Sequence, residues 1–248
     1  MPKATAYDAD AQAFITATGI TDLTQKNAIN QLVLDLKGYS IWTKMKALYP
    51  FVGGTATTHK FNLKNPVDSN AAFRLSFSGG WTHSSTGAKP NGTNGYADTF
   101  CNSLTDLLQN DVHLSYYSRT NASTASAEIG NGTLYLLYSY SGSQYKAFNS
   151  SQTIRGSLFS PTNGMLIGSR LSSTVEKYYY KGTLTDNLTV SSTTPANSNI
   201  WLGNTNTTNN WSSKECAFAS FGAGLTDTEA DNFETAVQAY QTTLSRQV

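Results

Sequence analysis

Residues 73–78 read FRLSFS, and this short stretch decides the class of fold. Phe73, Leu75 and Phe77 alternate with an arginine and two serines. A strict period of two places the apolar side chains on one face of a β-strand and the polar ones on the other. The stretch therefore predicts a strand with one buried face and one solvated face, which is typical of an antiparallel sheet.

The same period, with Gly, Asn, Ser and Thr at short intervals, extends to about residue 221. Further strands are predicted at residues 60–63, 112–118, 134–140, 144–149, 164–170, 175–180, 199–203 and 215–221. Strands this numerous, with no helical pattern between them, indicate an antiparallel sandwich or barrel. The consecutive tyrosines Tyr178, Tyr179 and Tyr180 place rings on both faces of one strand. We expect the second sheet on one side, and the helices or a neighbouring subunit on the other.

Helical patterns occupy the first fifty residues. One short helix is predicted to end at Gly19, and a second is predicted to be capped by Thr24 and to end at Gly38. Apolar residues spaced along 41–48 suggest one or two further helical turns.

A capping box of Thr226 and Glu229 predicts a C-terminal helix with an apolar stripe that a sheet face or the N-terminal helices must cover. The predicted organisation is a helical segment, residues 1–50, followed by a jelly roll with a closing helix, residues 51–248, which together form one compact unit. The fold class is mainly β: a two-sheet antiparallel jelly-roll sandwich with helices at both ends.

The composition argues against several classes of protein. Charged residues make up 13% of the chain and the net charge is +1, so the clustered cations that nucleic-acid binding requires are not expected. Residues 1–18 lack the basic and apolar regions of a signal peptide, and no apolar run is long enough to cross a membrane. We expect synthesis in the cytoplasm and no membrane insertion. Cys101 and Cys216 are predicted to be buried thiols, although one disulfide is also compatible with the sequence.

The C-terminal third carries a resemblance to a known family. Residues 201–203 read WLG, residues 215–221 read ECAFASF, and residues 222–227 read GAGLTD before the closing helix. This order resembles the end of concanavalin A-like, laminin-G-type jelly rolls. Residues 49–54, YPFVGG, and the segment 79–98 look like proteins encoded by phages and prophages. The resemblance implies a jelly roll over roughly residues 48–244, in a fold family whose members bind glycans, bind proteins, cleave glucans or build fibres and shells.

No catalytic group is predicted. Glucanases of this fold use closely spaced carboxylates on one strand, and the acids of the strand region are scattered singly. The three histidines, His59, His83 and His113, lack metal-ligand spacing, so no metal site and no cofactor are expected.

One glycine-rich segment, residues 79–99, carries candidate binding residues: Trp81, His83, Tyr96 and Asp98. Trp and Tyr present an apolar ring face that can stack on a sugar, and the acid can accept sugar hydroxyls or hold Ca²⁺. Trp211, in the Asn-rich loop 204–213, is a further glycan-binding candidate. The competing interpretation is that Trp81 fills the core and the glycines form turns.

These observations favour a bacteriophage virion protein, a decoration, fibre or tail-associated component that is located in the virion. Its expected partners are other virion proteins, further copies of itself and a host-surface glycan. The alternative is a cell-surface carbohydrate-binding lectin that uses the Trp81 to Asp98 segment, and a third hypothesis is a glycoside hydrolase. Loss of glycan binding on Trp81→Ala would favour the lectin, and turnover of polysaccharides would favour the hydrolase.

Overall fold

The structure is a computed structural model that describes residues 6–122, 126–140, 143–150, 154–156, 161–206 and 209–248. Two antiparallel sheets dominate these residues, and helices lie at both ends of the chain. Within the described residues, no helix combines the length and the apolar character needed to cross a membrane.

The larger sheet has eight strands in the described part of the chain. They are β1 (Met45–Tyr49), β3 (Trp81–Ser84), β4 (Gly87–Pro90), β6 (Val112–Ser118), β11 (Gly164–Arg170), β12 (Val175–Tyr180), β13 (Thr183–Thr189) and β15 (Cys216–Gly222). They are ordered β13-β12-β11-β6-β15-β4-β3, and β1 pairs with β15 as well. Every one of these pairs is antiparallel.

The smaller sheet has seven strands among the described residues. They are β2 (Ser76–Ser78), β5 (Tyr96–Asn102), β7 (Ile129–Gly130), β8 (Leu134–Tyr140), β9 (Ser143–Phe148), β10 (Ile154–Gly156) and β14 (Asn199–Leu202). Their order is β10-β9-β8-β7-β14-β5-β2, again antiparallel. The predicted fold class, a mainly β two-sheet sandwich with terminal helices, is confirmed.

The helices are three long and two short, in the part of the chain that is described. They are α1 (Ala9–Thr18), α2 (Leu23–Gly38), α3 (Ala56–His59), α4 (Ser103–Asp106) and α5 (Asp227–Thr243). Gly19 ends α1 as predicted, in a left-handed conformation (φ 67°) that suits glycine. The predicted capping box of Thr226 and Glu229 begins α5. The predicted Thr24 cap is wrong, because the Asp22 carboxylate accepts the Gln25 N–H and caps α2 two residues earlier.

The larger sheet separates two apolar cores, and its strands supply side chains to both in alternation. Tyr116 and Tyr178 point between the two sheets, where the Tyr178 ring meets Phe148 edge to face at 5.5 Å. Tyr117 and Tyr179, their chain neighbours, belong to the core formed with the helices. The prediction for the tyrosine strand is confirmed, and the helices rather than a second subunit cover its other face. The molecule thus has three layers: helices, larger sheet and smaller sheet.

Two predicted elements are wrong for an identifiable reason. Residues 41–48 form a short 3-10 helix, Trp42–Lys44, followed by β1 rather than helical turns. Residues 60–63 are not a strand, because the buried Asn62 side chain takes the place of a neighbouring strand. Its carbonyl oxygen accepts the Leu48 N–H at 3.0 Å, and its amide donates to the Ala72 carbonyl at 3.0 Å.

The opening stretch, FRLSFS, is shorter as a strand than predicted. Only its second half lies in β2, and Phe73 adopts a left-handed conformation (φ 56°) at the end of a short 3-10 helix, Asn70–Ala72. Leu75 is buried in the core between the sheets, and Phe73 and Phe77 pack against that core. The apolar alternation therefore identified the buried face correctly.

Candidate functional site

The glycine-rich segment 79–99 is mostly strand rather than loop. It forms the hairpin of β3 and β4 in the larger sheet and then enters β5 in the smaller sheet. Gly79 (φ 70°) turns the chain where any side chain would collide, since a Cβ there would lie 2.1 Å from the Asn94 carbonyl oxygen. The segment thus links the two sheets at one end of the sandwich.

Trp81 and His83, the first two predicted site residues, pack inward. The Trp81 indole N–H donates to the Tyr96 carbonyl at 3.1 Å, and its ring lies 5.2 Å from Phe77. Trp81 also packs against the core between the sheets. The interpretation of Trp81 as a core residue therefore accounts for its contacts.

His83 forms a pair with the buried His59, whose Nδ1 atom lies 3.0 Å from the His83 Nδ1. Burial lowers the pKa of His59 to about 3, and the neighbouring His83 lowers it further. Burial also lowers the pKa of His83. Both rings are therefore neutral near pH 7, and one Nδ1–H donates to the other ring.

Tyr96 and Trp211, two further predicted residues, meet at the outer surface of the smaller sheet together with Trp201. The Tyr96 and Trp201 rings stack at 3.9 Å with an angle of 17°, and the Trp211 ring lies 6.3 Å from Tyr96. All three side chains are half-buried. We call Tyr96, Trp201 and Trp211, with Asp98 and Asn199 beside them, the aromatic face.

Strand alternation explains why these side chains share one face. Tyr96 and Asp98 are the partly exposed members of a strict alternation along β5, and Asn199 and Trp201 are those of β14. Trp201 lies directly opposite Asp98 in the antiparallel ladder. Tyr135 of β8 lies in the same row, separated from Trp201 only by Gly130 of β7.

Asp98 is held rigidly in this face. The Asn199 amide donates to both carboxylate oxygens, at 3.1 and 3.3 Å, and the Phe100 N–H donates to one of them at 2.7 Å. These neutral donors keep an oriented acceptor beside the stacked rings. No cluster of three or more His, Cys, Asp or Glu side chains able to hold a metal occurs among the described residues.

Trp201 was not among the predicted site residues, although it carries an unusual feature. Its indole N–H is buried and has no hydrogen-bond partner among the described residues. An unsatisfied buried donor typically costs about 1–3 kcal/mol, so an oxygen supplied from outside would stabilise this position. The alternation of Asn199 and Trp201 about the buried Ile200 was the sequence signal that could have identified it.

Other groups that resemble catalytic residues are enclosed in the structure. His113 Nδ1 lies 2.6 Å from the Ala223 carbonyl, which can only accept, so Nδ1 carries the proton and Nε2 accepts from the Ser220 hydroxyl at 3.1 Å. Both side chains are fully buried. Burial lowers the pKa of His113 to about 4. This Ser–His pair therefore binds the larger sheet to the segment before α5.

The acids of the strand region are likewise engaged in structural contacts. Buried Glu176 pairs with buried Arg170, and Glu215 binds Arg119 at 3.0 Å. Both cysteines are buried free thiols, and burial raises the pKa of each.

No protein-family model and no curated protein matches the sequence. Among solved structures, Trypanosoma rangeli sialidase bound to 2,3-difluoro-KDN is similar with a TM-score of 0.57 and 10% identity, over 84% of this chain and 39% of the sialidase. The same sialidase with 2,3-difluorosialic acid, a covalent intermediate, gives a TM-score of 0.54 and 9% identity, over 84% and 38%. This chain therefore spans about two fifths of the sialidase chains, and the likeness establishes a shared β-sandwich fold.

A further match is domain 4 of AbnA, a GH43 extracellular arabinanase from Geobacillus stearothermophilus, in complex with arabinotriose. It has a TM-score of 0.46 and 14% identity, over 77% of this chain and 98% of that domain. A TM-score of this size is too low to establish a common fold.

The prediction of a bacteriophage virion structural protein is wrong. The two sialidase structures compared above share the sandwich, and they give the phage resemblance no support. The sandwich part of the resemblance stands.

Proposed function

We propose that this chain is a non-catalytic carbohydrate-binding module whose ligand lies on the aromatic face. The single observation that carries the proposal is the stack of Tyr96 on Trp201 with Trp211 beside it, half-exposed on the outer face of the smaller sheet. Aromatic rings that are apolar on the face and polar at the tip are suited to the C–H surface of a sugar ring.

The polar groups beside the rings are suited to the hydroxyl groups of a sugar. Asp98 offers fixed carboxylate oxygens to sugar hydroxyls, and Trp201 has an indole N–H that lacks an acceptor among the described residues. Acceptor and donor thus lie beside the same stacked rings. Sugar hydroxyls, which both donate and accept, can satisfy both groups.

The row of aromatic side chains continues across the strands of the smaller sheet beyond Trp201. Tyr135 stands two strands from Trp201, which corresponds to about 10 Å at ordinary strand spacing. An oligosaccharide lying across the strands would reach both aromatic residues. At the level of fold, the proposal is supported by the occurrence of the same sandwich within a sialidase.

A glycan array followed by calorimetry on the best ligand tests the proposal. Trp211→Ala is expected to weaken binding at least tenfold, or about 1.4 kcal/mol, because it removes one ring of the aromatic face. Tyr39→Ala is the matched control, since Tyr39 is an exposed aromatic residue at the end of α2. Trp81→Ala is a poorer probe than the sequence suggested, because Trp81 packs in the core.

Equal affinity of the Trp211→Ala and wild-type proteins would contradict the assignment of the aromatic face. Release of reducing sugar from the bound polysaccharide would contradict the non-catalytic part. Binding is expected to be the same in EDTA and in Ca²⁺, and a loss in EDTA would show that Asp98 acts through a metal ion.

A further inference from the structure

A cavity lies beside the helical layer, on the opposite side of the molecule's layer order from the aromatic face. It has a volume of about 840 Å³, is open to solvent, and lies between one flank of α5 and the tight turn Lys181–Gly182 that joins β12 to β13. Its lining mixes apolar and polar groups and includes Asp231, Glu234 and Gln238 of α5. Several threonine hydroxyls complete it along two further turns of the helix.

Glu234 is the unusual residue of this cavity. Its side chain is only 8% exposed, and its Oε2 atom is buried without a hydrogen-bond partner among the described residues. A buried carboxyl oxygen that accepts no hydrogen bond is costly, and the cost grows if the group ionises. A residue that lines the cavity thus carries a buried carboxyl oxygen that accepts no hydrogen bond from the described residues.

Asp231 and Gly182 are the neighbours of Glu234 in this cavity. Asp231 and Glu234 are three residues apart on α5 and therefore lie on the same side of the helix. A Cβ at Gly182 would lie 3.3 Å from Glu234 Cγ and 3.4 Å from an Asp231 carboxylate oxygen. Gly182, at φ 75°, allows the turn to lie directly against the Asp231 carboxylate and the methylene groups of Glu234.

We propose that this cavity binds the ammonium group of a hydroxylated primary amine, such as an amino sugar, between Asp231 and Glu234. An ammonium group brings three donors, which can satisfy the free Glu234 oxygen and the neighbouring carboxylate together. With Glu234 ionised, the side chains of Lys181, Asp231 and Glu234 carry a combined charge of −1, which favours a cationic ligand. The threonine hydroxyls and Gln238 are available for the hydroxyls of the ligand.

The titratable groups facing Glu234 are Asp231, Lys181, Tyr117 and Tyr180. Burial raises the pKa of Glu234 to about 7, while Lys181 lowers it and Asp231 raises it. Burial raises the pKa of Tyr117 and also that of Tyr180, to about 12, so both tyrosines stay neutral. A bound cation favours the ionised form of Glu234, and binding at pH 6 should therefore release a proton.

The test compares D-glucosamine with D-glucose and N-acetyl-D-glucosamine, which lack the ammonium group. Isothermal titration at pH 6 in two buffers of different ionisation enthalpy gives affinity and proton release together. The protein is expected to bind glucosamine at least tenfold more tightly than either neutral sugar, with close to one proton released. Equal affinity for the three sugars, or no binding of glucosamine, would overturn the proposal.

Glu234→Gln should abolish the proton release and weaken glucosamine binding at least tenfold. Asp231→Asn should weaken binding but keep the release, because Glu234 remains. Asp35→Asn, which changes the same charge on α2, is the matched control and should behave as wild type. Unchanged binding in both cavity variants would overturn the proposal, and a Trp211→Ala protein that still binds glucosamine separates this site from the aromatic face.

Discussion

The pKa of Glu234 makes the free energy of unfolding depend on pH. The folded protein holds the Glu234 proton more tightly than the unfolded chain, with a pKa of about 7 against an ordinary value of 4.5. The corresponding stability is complete below pH 4.5 and is lost as the pH rises through 7, amounting to about 3 kcal/mol.

We therefore expect the urea midpoint of the wild-type protein to fall between pH 5 and pH 8, and that of Glu234→Gln to fall less. Gln keeps the shape of the side chain and cannot ionise. Equilibrium unfolding at the two pH values measures the difference. Identical pH slopes in the two proteins would show that Glu234 ionises freely in the folded state.

The residue types in the sequence predict three members of the aromatic face, but they do not predict that these residues lie together. Tyr96, Asp98 and Trp211 were named from their chemistry, yet their association with Trp201 depends on the pairing of β5 with β14, about a hundred residues apart. Trp81 and His83 were named on the same grounds and pack inward. Ring chemistry alone does not distinguish a stacked core residue from an exposed one, because burial is fixed by long-range pairing.

At the scale of elements, strands with apolar residues on both faces could be predicted closely. The bounds of β6, β8, β11 and β12 agree with the sequence prediction. β13 was missed because its sequence, TLTDNLT, lies exposed at a sheet edge and shows too little apolar alternation. The residues of β1 have helical spacing, and they become a strand because β15 offers them a pairing edge.

The Asn62 side chain forms hydrogen bonds with the backbone of β1, and its replacement tests how much these bonds stabilise the fold. Its oxygen also accepts the Lys64 N–H, and its amide donates to the Lys46 carbonyl, in addition to the two bonds described above. Because the side chain is fully buried, Asn62→Ala leaves several backbone groups unpaired. We expect a loss of about 2–4 kcal/mol.

Chemical denaturation of Asn62→Ala and Asn62→Asp measures this effect. The Asp variant keeps the accepting oxygen but places a second, charged oxygen against the Lys46 and Ala72 carbonyls, so a loss at least as large as that of Asn62→Ala is expected at neutral pH. If Asn62→Ala unfolds within 0.5 kcal/mol of wild type, a typical surface value, the side chain has no such role.

At the scale of the whole molecule, the first fifty residues and the last helix are interlocked. α2 packs with α5 in one core, and β1 pairs with β15. The buried Arg246 guanidinium donates to the carbonyls of Pro50, Phe51 and Ala217, with bonds of 2.8 to 3.1 Å. These contacts join both ends of the chain to the sandwich, and the division into residues 1–50 and 51–248 stays a prediction from the sequence pattern.

We expect this unit to unfold in a single transition. Far-UV circular dichroism, which reports the helices and strands together, should give the same midpoint as tryptophan fluorescence of a Trp42→Phe protein, in which the remaining tryptophans lie in the sandwich. Two separated midpoints would mean that the helical layer detaches before the sheets unfold.

The three-layer order also gives the molecule two chemically different sides. The helices cover the larger sheet, whereas the aromatic face stands on the outer surface of the smaller one. A cross-link placed on an exposed position of α2, such as Gln31, would fix the protein to a bead or sensor surface with its stacked rings turned to the solution. Attachment through the helical layer would therefore leave the aromatic face accessible to ligands in solution.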